Sequence, residues 1–132
     1  MNKVLKLFSS NNKDVKISEI IREGYLEKES RFMKTWKKRW TVLTKDSLYT
    51  FENEKQYNNP TEIIDLSKIV VVRSDDDINH GFKVILKGET FYFKSQDNKN
   101  KEDWIKTIGS SWVKLVNKSI FIEEDDQSPV IA

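Results

Sequence analysis

The sequence predicts a mainly β domain: a bent, seven-stranded antiparallel sheet, partly closed into a barrel and capped by one C-terminal amphipathic helix. Three observations carry that prediction. From Gly24 onward, seven short runs rich in β-branched and aromatic residues follow one another, separated by turn residues. No stretch between them is long enough to be the crossover helix that parallel strands require, so successive runs pair as a meander. After Asp97 the apolar period switches from two to between three and four, giving a single helix suited to plugging an open barrel end.

Residues 1–21 are polar and rich in Asn and Lys, and read as a leader in which "KVLKLF" and "DVKISEIIRE" are short amphipathic pieces. The domain proper is expected over residues 22–117. Its strand runs are "GYLEKE", "WKKRWTVLT", "SLYTFEN", "EIIDL", "IVVVRS", "GFKVILK" and "TFYFKS". The joints carry turn chemistry: "KDS" at 45–47, "NNP" at 58–60, "SDDDIN" at 74–79 and "KGE" at 87–89. Asp97 is a suitable N-cap, and Trp104, Ile105, Ile108, Trp112, Leu115 and Val116 then lie on one helical face. Gly109 interrupts that pattern at a cost of about 1 kcal/mol relative to alanine, so it marks close packing or a bend. Residues 118–132 form an acidic tail, expected to be mostly disordered.

A chain of 132 residues suffices for one domain with tails, not for two. Without cysteine there is no disulfide framework and no thiolate metal site, which fits a reducing, cytoplasmic setting. No apolar run approaches the roughly 20 residues needed to span a bilayer, and the start "MNKVLKLFSSNNKD" lacks the pattern of a signal peptide.

The net charge of +2 conceals an asymmetry. Residues 24–45 hold Lys28, Arg31, Lys34, Lys37, Lys38, Arg39 and Lys45 against Glu27 and Glu29 only, so this segment is strongly cationic and the remainder is net acidic. A concentrated patch on a nearly neutral body attracts an anionic surface locally. Its densest part, "SRFMKTWKKRW" at 30–40, also carries Phe32, Met33, Trp36 and Trp40. With a strand period of two, Lys37 and Arg39 project to one face, and Lys38 projects to the other with Trp36 and Trp40.

The segment "REGYLEKESRFMKTWKKRWTVLTKDSLYTFENE", followed by a helix carrying "KEDWIKTI", resembles a pleckstrin homology (PH) domain over roughly residues 22–117. The likeness lies in an ordered set: a Gly-aromatic-Leu first strand, the "WKKRW" second strand and a lone Trp104 early in the closing helix. It implies a lipid head-group site at the barrel mouth opposite the helix. The family's pattern of Lys, a variable loop, then Lys or Arg, any residue, and Arg falls here on Lys28, Lys37 and Arg39, with Lys34 beside them in the loop. Arginine can hold a phosphomonoester bidentately while lysines supply point charge. In the same loop Arg31 and Lys34 would meet the membrane surface, and Phe32 and Met33 would enter the interface or fold back onto the sheet.

The chain departs from the pattern of members that hold 3-phosphoinositides tightly. A tyrosine late in the third strand is replaced by Thr50, and a basic residue opening the fourth by Thr61 or Glu62. Those changes point away from stereospecific recognition of a multiply phosphorylated inositol and toward phosphatidic acid or general anionic membrane. Thr41 stands where the second strand usually has an aromatic, implying an adjusted core. The compact domain behind an Asn/Lys-rich leader also resembles the small acylated PH-domain proteins of apicomplexan parasites. This chain, however, starts Met1-Asn2 and has no cysteine, so acylation sites of that kind would have to lie outside it.

Other features have plainer readings. Asp75, Asp76 and Asp77 lack the alternating ligand spacing of a calcium loop and read as a solvated turn. His80, the only histidine, reads as a turn residue before Gly81 and not as a catalytic base. Trp36 and Trp40 lie outside any RNA-binding pattern, and Trp104 and Trp112 read as core. The expected function is therefore non-enzymatic, with no cofactor, metal or nucleic acid: a monomeric peripheral module on the cytosolic face of a membrane that binds phosphatidic acid or phosphoinositides. The alternative is a PH-like module that binds a protein partner and little lipid.

Overall fold

The computed structural model describes residues 19–30 and 33–126. Within them the expected seven strands form in order: β1 (Arg22–Glu29), β2 (Trp36–Leu43), β3 (Ser47–Phe51), β4 (Glu62–Asp65), β5 (Ile69–Asp75), β6 (Gly81–Leu86) and β7 (Glu89–Lys94), followed by the helix α1 (Asn98–Asp126). All pairings are antiparallel, and the spatial order is β4-β3-β2-β1-β7-β6-β5. Two meanders, β1 to β4 and β5 to β7, are thus joined where β1 meets β7. A short 3-10 turn, Leu66–Lys68, carries the chain from one meander to the other.

The strands alternate because one face of the curled sheet lines the core. Leu26, Leu43, Leu48, Ile64, Phe82, Val84, Phe91 and Phe93 are buried there, and α1 closes the space with Trp104 and Ile108. Trp104 is 1% exposed. Truncating a buried tryptophan of this kind costs about 3–5 kcal/mol.

A second, smaller apolar cluster covers the outer face of β1 to β3: Trp40, Val42 and Phe51, with Ile20, Tyr49 and Tyr57 packed against it. Glu23 organises its edge. One carboxylate oxygen, Oε1, accepts from Trp40 Nε1 at 3.0 Å and from the Tyr57 hydroxyl at 2.7 Å. Ile21 adds a backbone hydrogen bond to Leu43 at 2.8 Å. The last residues of the expected leader therefore pack on the domain, and residues 1–18 lie outside the described residues.

Asp97 caps α1 as its position suggested: its Oδ1 accepts from the Asn100 backbone N–H at 2.7 Å and its carbonyl from Lys101 N–H at 3.1 Å. The helix runs on to Asp126, so the boundary expected at 117 coincides with no break, and residues 118–126 are helical where disorder was expected. The reason is local, since no proline or glycine occurs between Gly109 and Asp126. Close packing does not account for Gly109, because a Cβ built there meets nothing within 4 Å. At the start of β6, by contrast, a Cβ on Gly81 would collide with the Ile78 side chain, so only glycine fits behind His80 in this turn. His80 adopts φ 57° and bonds Asn98 Oδ1 through Nδ1 at 3.0 Å. Asp75 holds the same turn by accepting from Asp77 N–H at 3.0 Å.

Two outcomes follow from this packing. Gly109→Ala should raise stability by about 1 kcal/mol, read as a higher denaturation midpoint, because the new methyl meets open space and the unfolded chain loses freedom. The Tyr57 phenol is pushed up to about 12 by burial, reinforced by its hydrogen bond to Glu23. The folded state thus holds that proton more tightly than the unfolded chain, where a tyrosine ionises near about 10. Its contribution to stability is complete below about pH 10 and is lost as pH climbs through about 12. Tyr57→Phe should flatten this alkaline loss, and spectrophotometric titration of the native protein should show a phenol ionising near about 12 that the variant lacks.

Candidate functional site at the barrel mouth

The concave face of β1 to β4 changes chemistry row by row. Leu43, Leu48 and Ile64 stand in register as an apolar row. The next row toward the β1–β2 loop is Thr41, Thr50 and Glu62, the two threonines fully buried. Beyond it Arg39 stands opposite Leu26, and Lys37 opposite Lys28. The face therefore passes from hydrocarbon to hydroxyl to cation over a few residues, and the cations end at the loop that joins β1 and β2.

The threonines are engaged with each other. Thr50 and Thr61 bring their hydroxyl oxygens to 2.7 Å, and Thr61 Oγ1 also donates to the Thr50 carbonyl at 3.1 Å. With one hydrogen on each hydroxyl, this arrangement commits both within the β3–β4 corner. Thr41 Oγ1 donates to the Arg39 carbonyl at 3.4 Å, which is how a hydroxyl is accommodated where the family pattern has an aromatic.

Lys28 is only 8% exposed. Its Nζ reaches Glu62 Oε1 at 3.3 Å and lies 5.4 Å from the centre of the Phe91 ring. The pair joins β1 to β4 across the concave face, over β2 and β3, so it can form only because the sheet curls. Lys37 is exposed and Arg39 half-buried; one Arg39 guanidinium N–H donates to the Lys38 carbonyl at 3.3 Å. Of the four cations assigned to the head group from sequence, Lys28, Lys37 and Arg39 thus share one face, Lys28 already holding a carboxylate. Lys34 stands at the rim, exposed, with φ 56°, in a tight loop closed by Ser30 N–H to the Thr35 carbonyl at 2.7 Å. Met33 is 68% exposed on the same loop. Arg31 and Phe32 lie outside the described residues.

The opposite face uses its cations differently. Lys38 Nζ sits 4.1 Å from the Tyr25 ring centre and Lys94 Nζ 4.5 Å from that of Trp36. Trp40 meets Tyr25 edge to face at 4.9 Å. The two tryptophans of the basic stretch are therefore occupied by neighbouring side chains. What sequence reasoning missed is the part played by Glu62: it signalled a missing donor, whereas the structure makes it a counter-charge to Lys28. The signal was present as a carboxylate opening β4, but its partner lies on another strand far away in the chain.

Comparison with known proteins agrees with this architecture. The PH domain family model matches residues 20–112. A relative from Arabidopsis thaliana, "Pleckstrin homology domain-containing protein 1", is 29% identical over 99 residues, covering 70% of this chain and 68% of that protein. The mouse "Dual adapter for phosphotyrosine and 3-phosphotyrosine and 3-phosphoinositide" is 30% identical over 89 residues, covering 66% of this chain and 31% of the adapter. The chain also matches Kinesin-related protein 1 of Dictyostelium discoideum at 30% identity over 73% of its own length, but spans only 4% of that protein. Among solved structures, the C-terminal PH domain of pleckstrin in complex with D-myo-Ins(1,2,3,5,6)P5 superposes with a TM-score of 0.67 at 25% identity, over 73% of this chain and 98% of that one. A crystal structure of the carboxyl-terminal PH domain of pleckstrin gives 0.65 at 26% identity, over 72% and 99%. With a family match over most of its length and a seven-stranded curled sheet closed by one helix, this chain belongs to the PH domain family.

Proposed function

We propose that this chain is a non-catalytic membrane-targeting module that binds the anionic head group of a phospholipid, phosphatidic acid or a phosphoinositide, at the cytosolic face of a membrane, and does so as a monomer. The observation that carries the reading is the placement of Lys37 and Arg39 on the concave face beside Lys28, at the rim where the β1–β2 loop opens. In this reading Arg39 grips a phosphate through two N–H groups and Lys37 adds a point charge. Lys34 and Arg31 lie against the lipid surface, each contributing about 1 kcal/mol near anionic lipid. Phe32 and Met33 enter the interface, a role that the exposure of Met33 supports. The pleckstrin domain solved with an inositol phosphate makes a phosphate ligand the natural expectation for this fold.

A protein-binding role is the second reading. It rests on a groove of about 630 Å³ between β5 and α1, lined by Val70, Val72, Trp112 and Val113 and flanked by Lys106 and Lys114. Recruitment that ignores lipid composition would favour it.

Two experiments test the lipid reading. Lys37→Ala with Arg39→Ala should abolish sedimentation with anionic vesicles while leaving the thermal midpoint nearly unchanged, because a charge-assisted hydrogen bond is worth about 1.5–3 kcal/mol and neither side chain is in the core. Undiminished binding by the folded double variant would overturn the head-group assignment. For the loop, Phe32→Ser with Met33→Ser should remove the vesicle binding that survives in high salt. Charge attraction is screened as the Debye length contracts from about 10 Å at 0.1 M to about 3 Å at 1 M, whereas apolar insertion persists. Equal residual binding by both proteins would make the loop's contribution purely electrostatic.

A further inference from the structure

We propose that Glu62 sets how many phosphates the mouth accepts: by neutralising Lys28 it limits the site to a single phosphomonoester and excludes head groups carrying several phosphates. This rests on the head-group reading of the mouth. Among the described residues of β1 to β4, the charges at the mouth end of the concave face are Lys28, Lys37 and Arg39 against Glu62, whereas Arg22 shares the face but lies at the helix end, over Trp104 and bonded to Asn100. Lys28 and Glu62 are 3.3 Å apart with side chains only 10% and 19% exposed, so the charge of Lys28 is offset by a carboxylate at the inner end of the site. Lys37 and Arg39 are the mouth cations of these strands outside that pair, together enough for one phosphomonoester of charge about −1.5 to −2 at pH 7.

A second phosphate on the same head group would have to lie against the Lys28–Glu62 pair. There it meets no net attraction, loses its hydration, and stands beside a carboxylate of like sign. The Glu62 backbone is fixed on the concave face, because β4 holds it opposite Thr50 and the Thr50–Thr61 hydroxyl pair ties the strand's first corner. The threonines also offer the phosphate little, since their hydroxyl hydrogens are committed to each other and to the Thr50 carbonyl. A merely structural ion pair would affect stability alone. A selectivity element changes the ranking of ligands, and this difference makes the idea testable.

The experiment compares the full chain with Glu62→Gln, which keeps shape and hydrogen bonding to Lys28 but removes the charge. Titration calorimetry with soluble inositol 1,4,5-trisphosphate and with sn-glycerol 3-phosphate is paired with sedimentation on vesicles containing phosphatidic acid or a phosphatidylinositol bisphosphate. The native chain should bind the monoester lipid at least as well as the bisphosphate lipid. In Glu62→Gln the affinity for the trisphosphate should rise by about tenfold or more and the vesicle ranking should invert, with phosphatidic acid binding held within about threefold. Lys28→Met in addition should cancel the gain, because the cation that loss of the carboxylate sets free is then absent. The vesicle and soluble arms tell a lipid phosphate from a free one; either source satisfies the proposal.

An unchanged ranking in folded Glu62→Gln, with binding still dependent on Lys37 and Arg39, overturns the role of Glu62 and leaves the head-group reading standing. Binding indifferent to Lys37 and Arg39 overturns both. Should Glu62→Gln fold poorly, Glu62→Thr, which suits a strand, is read for the same inversion, and its failure to invert the ranking counts against the proposal equally.

Discussion

The short seam between β1 and β7 is the constraint on which the rest of the molecule depends. It pairs Glu27 with Lys94 and Lys28 with Phe93, whereas β1 and β2 pair along the whole of Arg22 to Glu29. Without it there would be two separate meanders, each with one apolar face exposed to water. With it the sheet curls, the two apolar faces enclose a common core, and α1 has a hollow to fill with Trp104 and Ile108. The same curl brings β1 over β4, which lets Lys28 reach Glu62 across two intervening strands. Core closure and site electrostatics thus follow from one joint, and Lys28 is a member of both: its backbone forms the seam and its side chain enters the mouth.

The gradient along the concave face explains why the cations gather at one end of the barrel. A barrel filled to both ends with hydrocarbon would have nowhere to place a charged ligand, and one lined with uncompensated cations would repel itself. Here the buried threonine row separates Leu43, Leu48 and Ile64 from the cationic rim. Its hydroxyls are satisfied internally, so they can be buried without the cost of an orphaned donor. The rim is therefore polar and supported from below by a buried floor, a setting in which charge-assisted contacts are stronger than in open water.

The basic stretch that dominates the sequence proves to serve two faces. Lys37 and Arg39 turn inward to the mouth, while Lys38 turns outward onto Tyr25, beside Trp36, which receives Lys94. Cations placed over aromatic rings on the outer surface are partly satisfied where they are. The same face carries the Trp40, Val42 and Phe51 cluster, its polar atoms collected on Glu23. This second packing layer covers the outer face of β1 and β2, the strands that present the mouth cations on their other face.

Sequence by itself determined whatever depends on neighbours along the chain. The period of two in "WKKRW" placed Lys37 and Arg39 on one face, the switch of period after Asp97 placed the helix and its cap, and the turn residues between the runs gave the seven strands in order. These are properties of residue spacing, and they hold whatever the strands later pack against. The end of α1 was less legible, because a polar, acidic stretch without a breaker suits both helix and coil, and the structure carries the helix to Asp126. Only tertiary structure decided what Lys28 and Glu23 do. Lys28 meets Glu62, and Glu23 meets Trp40 and Tyr57, through contacts between residues widely separated in sequence. Such contacts exist only once the sheet has curled, so no local pattern encodes them: a lysine on a strand looks the same whether it awaits a phosphate or already holds a carboxylate.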